Sequence, residues 1–172
     1  MSKIIFVLGG ARSGKSTFAM QLAQRAGGRV AYIATAQALD AEMKHRIKVH
    51  KQSRPRTWKT FEEPVRVAKI IRSVHGAADV ILLDCLTLLV SNMVLIGIDE
   101  RKILHEMTEI CRLLKRGSAS AIIVSNEVGL GIVPDNKLAR DFRDIAGRVN
   151  QCVAQQADEV HMMCAGLSIR LK

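Results

Sequence analysis

Residues 9–16 read Gly9-Gly10-Ala11-Arg12-Ser13-Gly14-Lys15-Ser16 and fit the pattern G-x-x-x-x-G-K-[ST]. The flanking residues make this octapeptide the strongest constraint on the fold. Ile4 to Leu8 is a short apolar run, which predicts a buried strand. Lys15 to Ala26 carries Phe18, Ala19, Leu22 and Ala26 at helical spacing, and Gly27-Gly28 stops it. Strand, glycine turn and helix in that order predict a βα unit whose turn wraps an anion. Glycines let successive backbone N–H groups curl around a phosphate without Cβ clashes. The helix presents its positive end to the same oxygens. Lys15 would reach the terminal phosphates, and Ser16 could ligate Mg²⁺. The alternative, an ordinary glycine-rich βα turn, leaves the Lys-Ser pair at this spacing without a reason.

The rest of the chain continues the alternation. Strands are expected at Val30 to Ala34, Trp58 to Phe61, Val80 to Leu83, Ala121 to Val124, Val160 to Cys164 and, as an edge, Ile169 to Leu171. Helices are expected at Asp40 to about Gln52, Pro64 to Ser73, Leu86 to Leu95, Asp99 to Lys115 and Leu138 to Gln156. Short apolar runs between helices predict an α/β domain of three layers with a mostly parallel central sheet. No repeat, low-complexity tract or linker divides the 172 residues, so 1–172 reads as one domain.

Charge then limits the partners. The formal net charge is +10, from 26 Lys+Arg against 16 Asp+Glu, which calls for an anionic partner. Only 3% of residues are aromatic, a poor supply of stacking platforms for single-stranded nucleic acid. No apolar run approaches the roughly 20 residues that span a bilayer. The N-terminal apolar stretch is too short for a signal peptide. Cys85, Cys111, Cys152 and Cys164 are widely spaced without a C-x-x-C pair, which argues against disulfide and zinc frameworks and favours a cytoplasmic location.

Three further features carry chemistry. Val80-Ile81-Leu82-Leu83-Asp84 ends an apolar strand in an acid, at the strand end where open α/β sheets bind ligands. Asp84 could cap the next helix, but beside a phosphate loop an Mg²⁺ role is favoured. Between Met43 and Phe61 lie seven Lys/Arg and no acid, with His50 in the middle. If the helix persists, Arg46, His50 and Arg54 share one face. Neighbouring cations favour a neutral imidazole, the nucleophilic form, and would also neutralise a phosphate under attack. Composition alone favours a solvated basic helix with an incidental histidine. Lastly, Ser125-Asn126-Glu127-Val128-Gly129-Leu130-Gly131 follows a core strand, and reads equally well as a functional loop or a plain connection.

Together these blocks resemble the bifunctional adenosylcobinamide kinase / adenosylcobinamide-phosphate guanylyltransferase family of cobalamin biosynthesis. The resemblance rests on the phosphate loop, on Tyr32-Ile33-Ala34-Thr35-Ala36-Gln37, and on Asp40 with Glu42-Met43. It continues through Arg46-Ile47, His50, Arg54-Pro55, Trp58 and Glu62-Glu63-Pro64. Asn126 to Pro134 and Phe142 to Gln151 complete it. The resemblance implies two reactions. An NTP, ATP or GTP, phosphorylates adenosylcobinamide; GMP then passes from GTP to adenosylcobinamide phosphate through a guanylylated histidine, here His50. It implies that residues 9–16, Ala34, Thr35, Ala36, Lys51, Gln52, Ser53, Arg54, Glu62 and Asp84 contact nucleotide, with Lys15 and His50 catalytic and Ser16 and Asp84 on Mg²⁺. It also implies a RecA-like domain, a histidine helix projecting at about 40–52, and a homotrimer. A nucleic-acid-dependent P-loop ATPase is the rival, disfavoured because +7 of the +10 charge sits beside one histidine.

Overall fold

The computed structural model describes residues 2–172. Seven strands form one sheet: β1 (Ile4–Gly9), β2 (Val30–Ala34), β3 (Lys59–Glu62), β4 (Val80–Asp84), β5 (Ser120–Asn126), β6 (Glu159–Cys164) and β7 (Leu167–Arg170). Their order is β3-β2-β4-β5-β1-β6-β7, with every pairing parallel except β6 with β7. Six helices connect them: α1 (Lys15–Ala26), α2 (Ala41–Gln52), α3 (Val67–Val74), α4 (Leu86–Leu95), α5 (Glu100–Arg116) and α6 (Lys137–Gln156). The three-layer α/β architecture read from the sequence is the one observed.

The layers follow from which residues bury. Strands β2, β4 and β5 are covered on both faces, so their sequences run apolar without alternation. On one face Ala19 and Ala23 of α1 pack against Val7, Tyr32, Leu82 and Ile122. On the other, α3 to α6 pack Ile71, Leu89, Met107 and Val153 against Phe6, Ile33, Leu83 and Ile123. Each of the buried Val, Leu, Ile, Phe and Met side chains contributes about 1.5–3 kcal/mol on full burial. Helix α4 is buried on most sides, whereas α2 buries no residue at all. No described helix is long and apolar enough to cross a membrane.

Two elements start two or more residues from where they are expected. Helix α3 begins at Val67 rather than Pro64. The Glu63 carboxylate accepts the N–H groups of Val65 at 3.1 Å and Arg66 at 2.8 Å, closing a turn that delays the helix. Strand β7 begins at Leu167, directly after a two-residue hairpin turn at Ala165-Gly166 whose φ angles are 51° and 84°. Positive φ at both positions matches the right-handed twist of the strands, and Ala-Gly is a weak sequence signal for such a turn.

Because the inner strands are parallel, the loop after β1 and the ends of β2, β4 and β5 all emerge at one sheet edge.

Candidate active site

A cleft of about 460 Å³ opens at that edge. Its floor is the phosphate loop and the tips of β2 and β4, and its outer wall is α2. The loop contributes Ala11, Arg12, Ser13, Gly14, Lys15 and Ser16. Gly9 and Gly10 stand outside the lining. The Gly9 carbonyl accepts the Glu127 N–H at 3.0 Å, and the Gly10 carbonyl accepts the Lys15 ammonium at 2.7 Å. Lys15 is 8% exposed. Burial lowers its pKa below the usual lysine value; the Arg46 charge acts the same way, and the nearby Cys85 and Asp84 oppose it.

Asp84 lies at the β4 tip, half-buried, and its Oδ2 accepts the Tyr32 hydroxyl at 2.6 Å. Tyr32 is buried, and burial followed by the Asp84 charge keeps the phenol above its ordinary pKa, as a donor. The adjoining Cys85 thiol is pushed up to about 12 by burial first and by Asp84 second, so it stays a neutral thiol in the cleft wall.

Helix α2 is started by Asp40, whose side chain accepts the Met43 N–H at 2.7 Å. It turns Met43, Arg46, Ile47, His50 and Lys51 toward the cleft. The shared face expected for Arg46, His50 and Arg54 holds only to His50. The helix ends at Gln52, and Ser53 caps it by donating its hydroxyl to the His50 carbonyl at 2.9 Å. Arg54 lies beyond the helix and reaches the cleft differently: its guanidinium sits 3.8 Å above the Tyr32 ring. Lys51 pairs with Glu62 at the end of β3, tying α2 to the sheet edge.

Ala34, Ala36, Lys51, Arg54, Glu62 and Asp84 thus join the phosphate loop and His50 around one cavity. Thr35, Gln52 and Ser53 do not line it. Thr35 is fully buried, donating its hydroxyl to the Cys85 carbonyl at 2.7 Å and accepting the Cys85 N–H at 2.9 Å. It staples the end of β2 to that of β4. Gln52 is exposed at the end of α2.

Several lining residues are not among the site residues expected from the sequence: Tyr32, Met43, Ile47 and Asn126. The α2 residues had a signal, because Met43, Ile47 and His50 recur at helical spacing on one face. Tyr32 had none, sitting in an all-apolar strand.

The arrangement sets a cationic phosphate cradle, a carboxylate and an exposed imidazole around one cavity. That combination suits attack on a bound polyphosphate. Residues 5–171 match the family described as cobinamide kinase / cobinamide phosphate guanyltransferase. The chain is 43% identical to the bifunctional adenosylcobalamin biosynthesis protein CobP of Pseudomonas aeruginosa, covering 96% of this chain and 95% of that one. It is 43% identical to the bifunctional adenosylcobalamin biosynthesis protein CobU of Salmonella typhimurium and 41% identical to that of Escherichia coli, covering 98% of this chain and 99% of each relative.

Proposed function

The chain belongs to the cobinamide kinase / cobinamide phosphate guanyltransferase family, and on that premise we propose that the one cleft carries both reactions, with Lys15 serving bound polyphosphate and His50 carrying GMP. The enzyme is a bifunctional transferase of cobalamin biosynthesis that acts on nucleotide and cobinamide substrates. The observation that carries the assignment is that His50 and Lys15, 35 positions apart in sequence, line the same cavity.

In the kinase reaction an NTP, ATP or GTP, phosphorylates adenosylcobinamide. The phosphate loop binds the polyphosphate through its backbone N–H groups, and Lys15 moves from the Gly10 carbonyl to the phosphate oxygens. In the second reaction the neutral His50 imidazole forms a bond to the α-phosphorus of GTP. The bond from that phosphorus to its bridging oxygen breaks, and pyrophosphate leaves with the electron pair. A phosphate oxygen of adenosylcobinamide phosphate then attacks the same phosphorus. The P–N bond breaks, giving adenosylcobinamide-GDP and free His50. Arg46 and Arg54 flank the phosphates and offset their charge.

The Ser16 hydroxyl and the Asp84 carboxylate fit Mg²⁺, because both are hard oxygen donors lining the cleft beside Lys15. Among the described residues no cluster of three or more His, Cys, Asp or Glu forms a metal cage, so phosphates and water would complete the shell, as Mg²⁺ prefers. When bound, the ion would neutralise charge on the phosphate oxygens. A cytoplasmic location accords with four free cysteines. A homotrimer accords with exposed apolar residues such as Leu130 and Ile132.

The test uses GTP labelled at the α-phosphate. The wild type, denatured after incubation with Mg²⁺ and GTP, should hold acid-labile, base-stable label that His50→Ala lacks. With γ-labelled NTP and adenosylcobinamide, His50→Ala should still give labelled product and Lys15→Ala should not. Label retained on His50→Ala would remove His50 from the mechanism.

A further inference from the structure

Strand β5 ends between the two chemical landmarks of the cleft. Val124 pairs with Asp84 of β4, and two residues on Asn126 pairs with Gly9 at the mouth of the phosphate loop. Asn126 lines the cavity with Lys15 and Asp84. Its side-chain amide has no hydrogen-bond partner among the described residues.

The Asn126 backbone, by contrast, is held on both sides. Its N–H donates to Thr87 Oγ1 at 2.6 Å, and its carbonyl accepts Asn150 Nδ2 at 3.2 Å. These partners are joined to each other. Ser125 Oγ lies 3.1 Å from Thr87 Oγ1 and donates to Asn150 Oδ1 at 2.7 Å. Thr87, Ser125 and Asn150 come from α4, β5 and α6, and all three are buried. Polar groups are costly to bury unless satisfied, and apolar residues of similar shape would stabilise a core as well. The network therefore gains little stability for the fold. What it achieves is a fixed position for Asn126 against the phosphate loop, reinforced by the Glu127 N–H on the Gly9 carbonyl.

A carboxylate at this place would repel a polyphosphate. An amide carries no charge and is both donor and acceptor. It can donate through Nδ2 to an oxygen of the transferring phosphoryl group while Oδ1 accepts from the incoming hydroxyl. His50 stands elsewhere. Helix α2 follows β2, and β4 separates β2 from β5, so the two walls are roughly 10 Å apart at the usual strand spacing.

We propose that Asn126 is a catalytic residue of the kinase reaction alone, orienting the acceptor alcohol on the γ-phosphoryl group, and that Thr87, Ser125 and Asn150 are its positioning residues. This rests on the two-reaction reading above. In the step, the acceptor oxygen bonds to the γ-phosphorus as the bond to the β–γ bridging oxygen breaks. The nucleoside diphosphate leaves with the electron pair. The hydroxyl proton passes to a phosphoryl oxygen of the product and then to water. Asn126 orients and does not act as a base.

The experiment measures both reactions on Asn126→Ala, Asn126→Asp and Ser125→Ala in the full-length enzyme. For Asn126→Ala, kcat for γ-phosphoryl transfer to adenosylcobinamide should fall about 100-fold. The NTP KM and the α-label on His50 should stay within about threefold. Asn126→Asp keeps the shape and loses the Nδ2 donor, so at saturating nucleotide, where weaker binding is overcome, its phosphoryl transfer should be at least as slow while labelling persists, and it carries the test if the alanine variant does not fold. Ser125→Ala should show the same split between the two reactions, more weakly; a merely structural loss would lower both together. Kinase kcat within about threefold of wild type in either Asn126 variant, or kinase and labelling falling in parallel, overturns the proposal. A wild type that labels His50 but never phosphorylates adenosylcobinamide would instead overturn the two-reaction reading, and this inference with it.

Discussion

Tyr32 joins parts of the cleft that are far apart in sequence. Its hydroxyl donates to Asp84 at 2.6 Å, the Arg54 guanidinium lies 3.8 Å above its ring, and Trp58 stacks beside it at 6.3 Å between centroids. Tyr32→Phe keeps the ring, the stack and the cation contact, and removes only the O–H. The loss of a hydrogen bond to an ionised carboxylate should lower unfolding free energy by about 1.5–3 kcal/mol, toward the lower figure because Asp84 is only half-buried. Urea denaturation should show this as a lower midpoint with an unchanged slope. The sequence pointed to Asp84 and Arg54 but not to the tyrosine between them. The reason is physical. Asp84 carries its signal locally, as an acid closing an apolar run, whereas Tyr32 earns its role only from the β2–β4 pairing, which sets Ala34 beside Asp84. Thr35, adjacent in sequence to cleft residues, turns inward and bonds the Cys85 backbone.

Among the elements, one carboxylate bridges α3 and α5 at the rim of the apolar core they share. Glu109 accepts Arg112 of its own helix at 2.6 Å and Arg72 of α3 at 2.8 Å. These bonds, Arg112 first, hold its pKa down at about 2. A carboxyl depressed in the folded state stabilises it above the unfolded pKa, about 4.3 for Glu. That contribution disappears as the pH falls through the folded value of about 2. Wild type should therefore exceed Glu109→Gln in urea midpoint at neutral pH, and the gap should close between pH about 5 and about 2. A gap that persists at the acid end would exclude the ion pairs as its source. Periodicity made helices such as α5 legible because one stripe faces the core. It was less informative where an element's limits depend on distant or conformational partners. The Glu63 turn delays α3, and the Ala165-Gly166 hairpin starts β7 early. The inward face of α2 is legible in part, through Met43 and Ile47, and so is its end at Gln52, but the contact that brings Arg54 to the cleft is not. Arg54 reaches the cleft because the Tyr32 ring receives its guanidinium.

Across the whole molecule, the C-terminal hairpin meets the phosphate loop that follows β1. Strand β1 lies between β5 and β6, and the β6–β7 turn returns to the loop that β1 begins. The Gly166 N–H donates to the Ser13 carbonyl at 3.0 Å, and a Cβ on Gly14 would come within 3.3 Å of the Gly166 Cα. The C-terminal hairpin thus supports the anion cradle from outside, a contact no local pattern announces. Gly76 offers a matched control. It lies before β4 at the opposite sheet edge, with φ +73° against +84° at Gly166, and an added Cβ meets nothing within 4 Å at either position. Alanine should therefore cost about the same backbone strain at both, about 1–2 kcal/mol. For a chain of this size that is a Tm lowered by about 2–4 °C per kcal/mol. Only at Gly166 should the strain reach the cradle. Calorimetric titration with ATP should find affinity severalfold weaker for Gly166→Ala and unchanged for Gly76→Ala. Equal loss of affinity in both variants would mean that general stability, not support by the hairpin, governs the loop. Seen at this scale, the net charge of +10 also has a location: the segment from Met43 to Phe61 faces the cradle from one wall, and the hairpin braces it from the other.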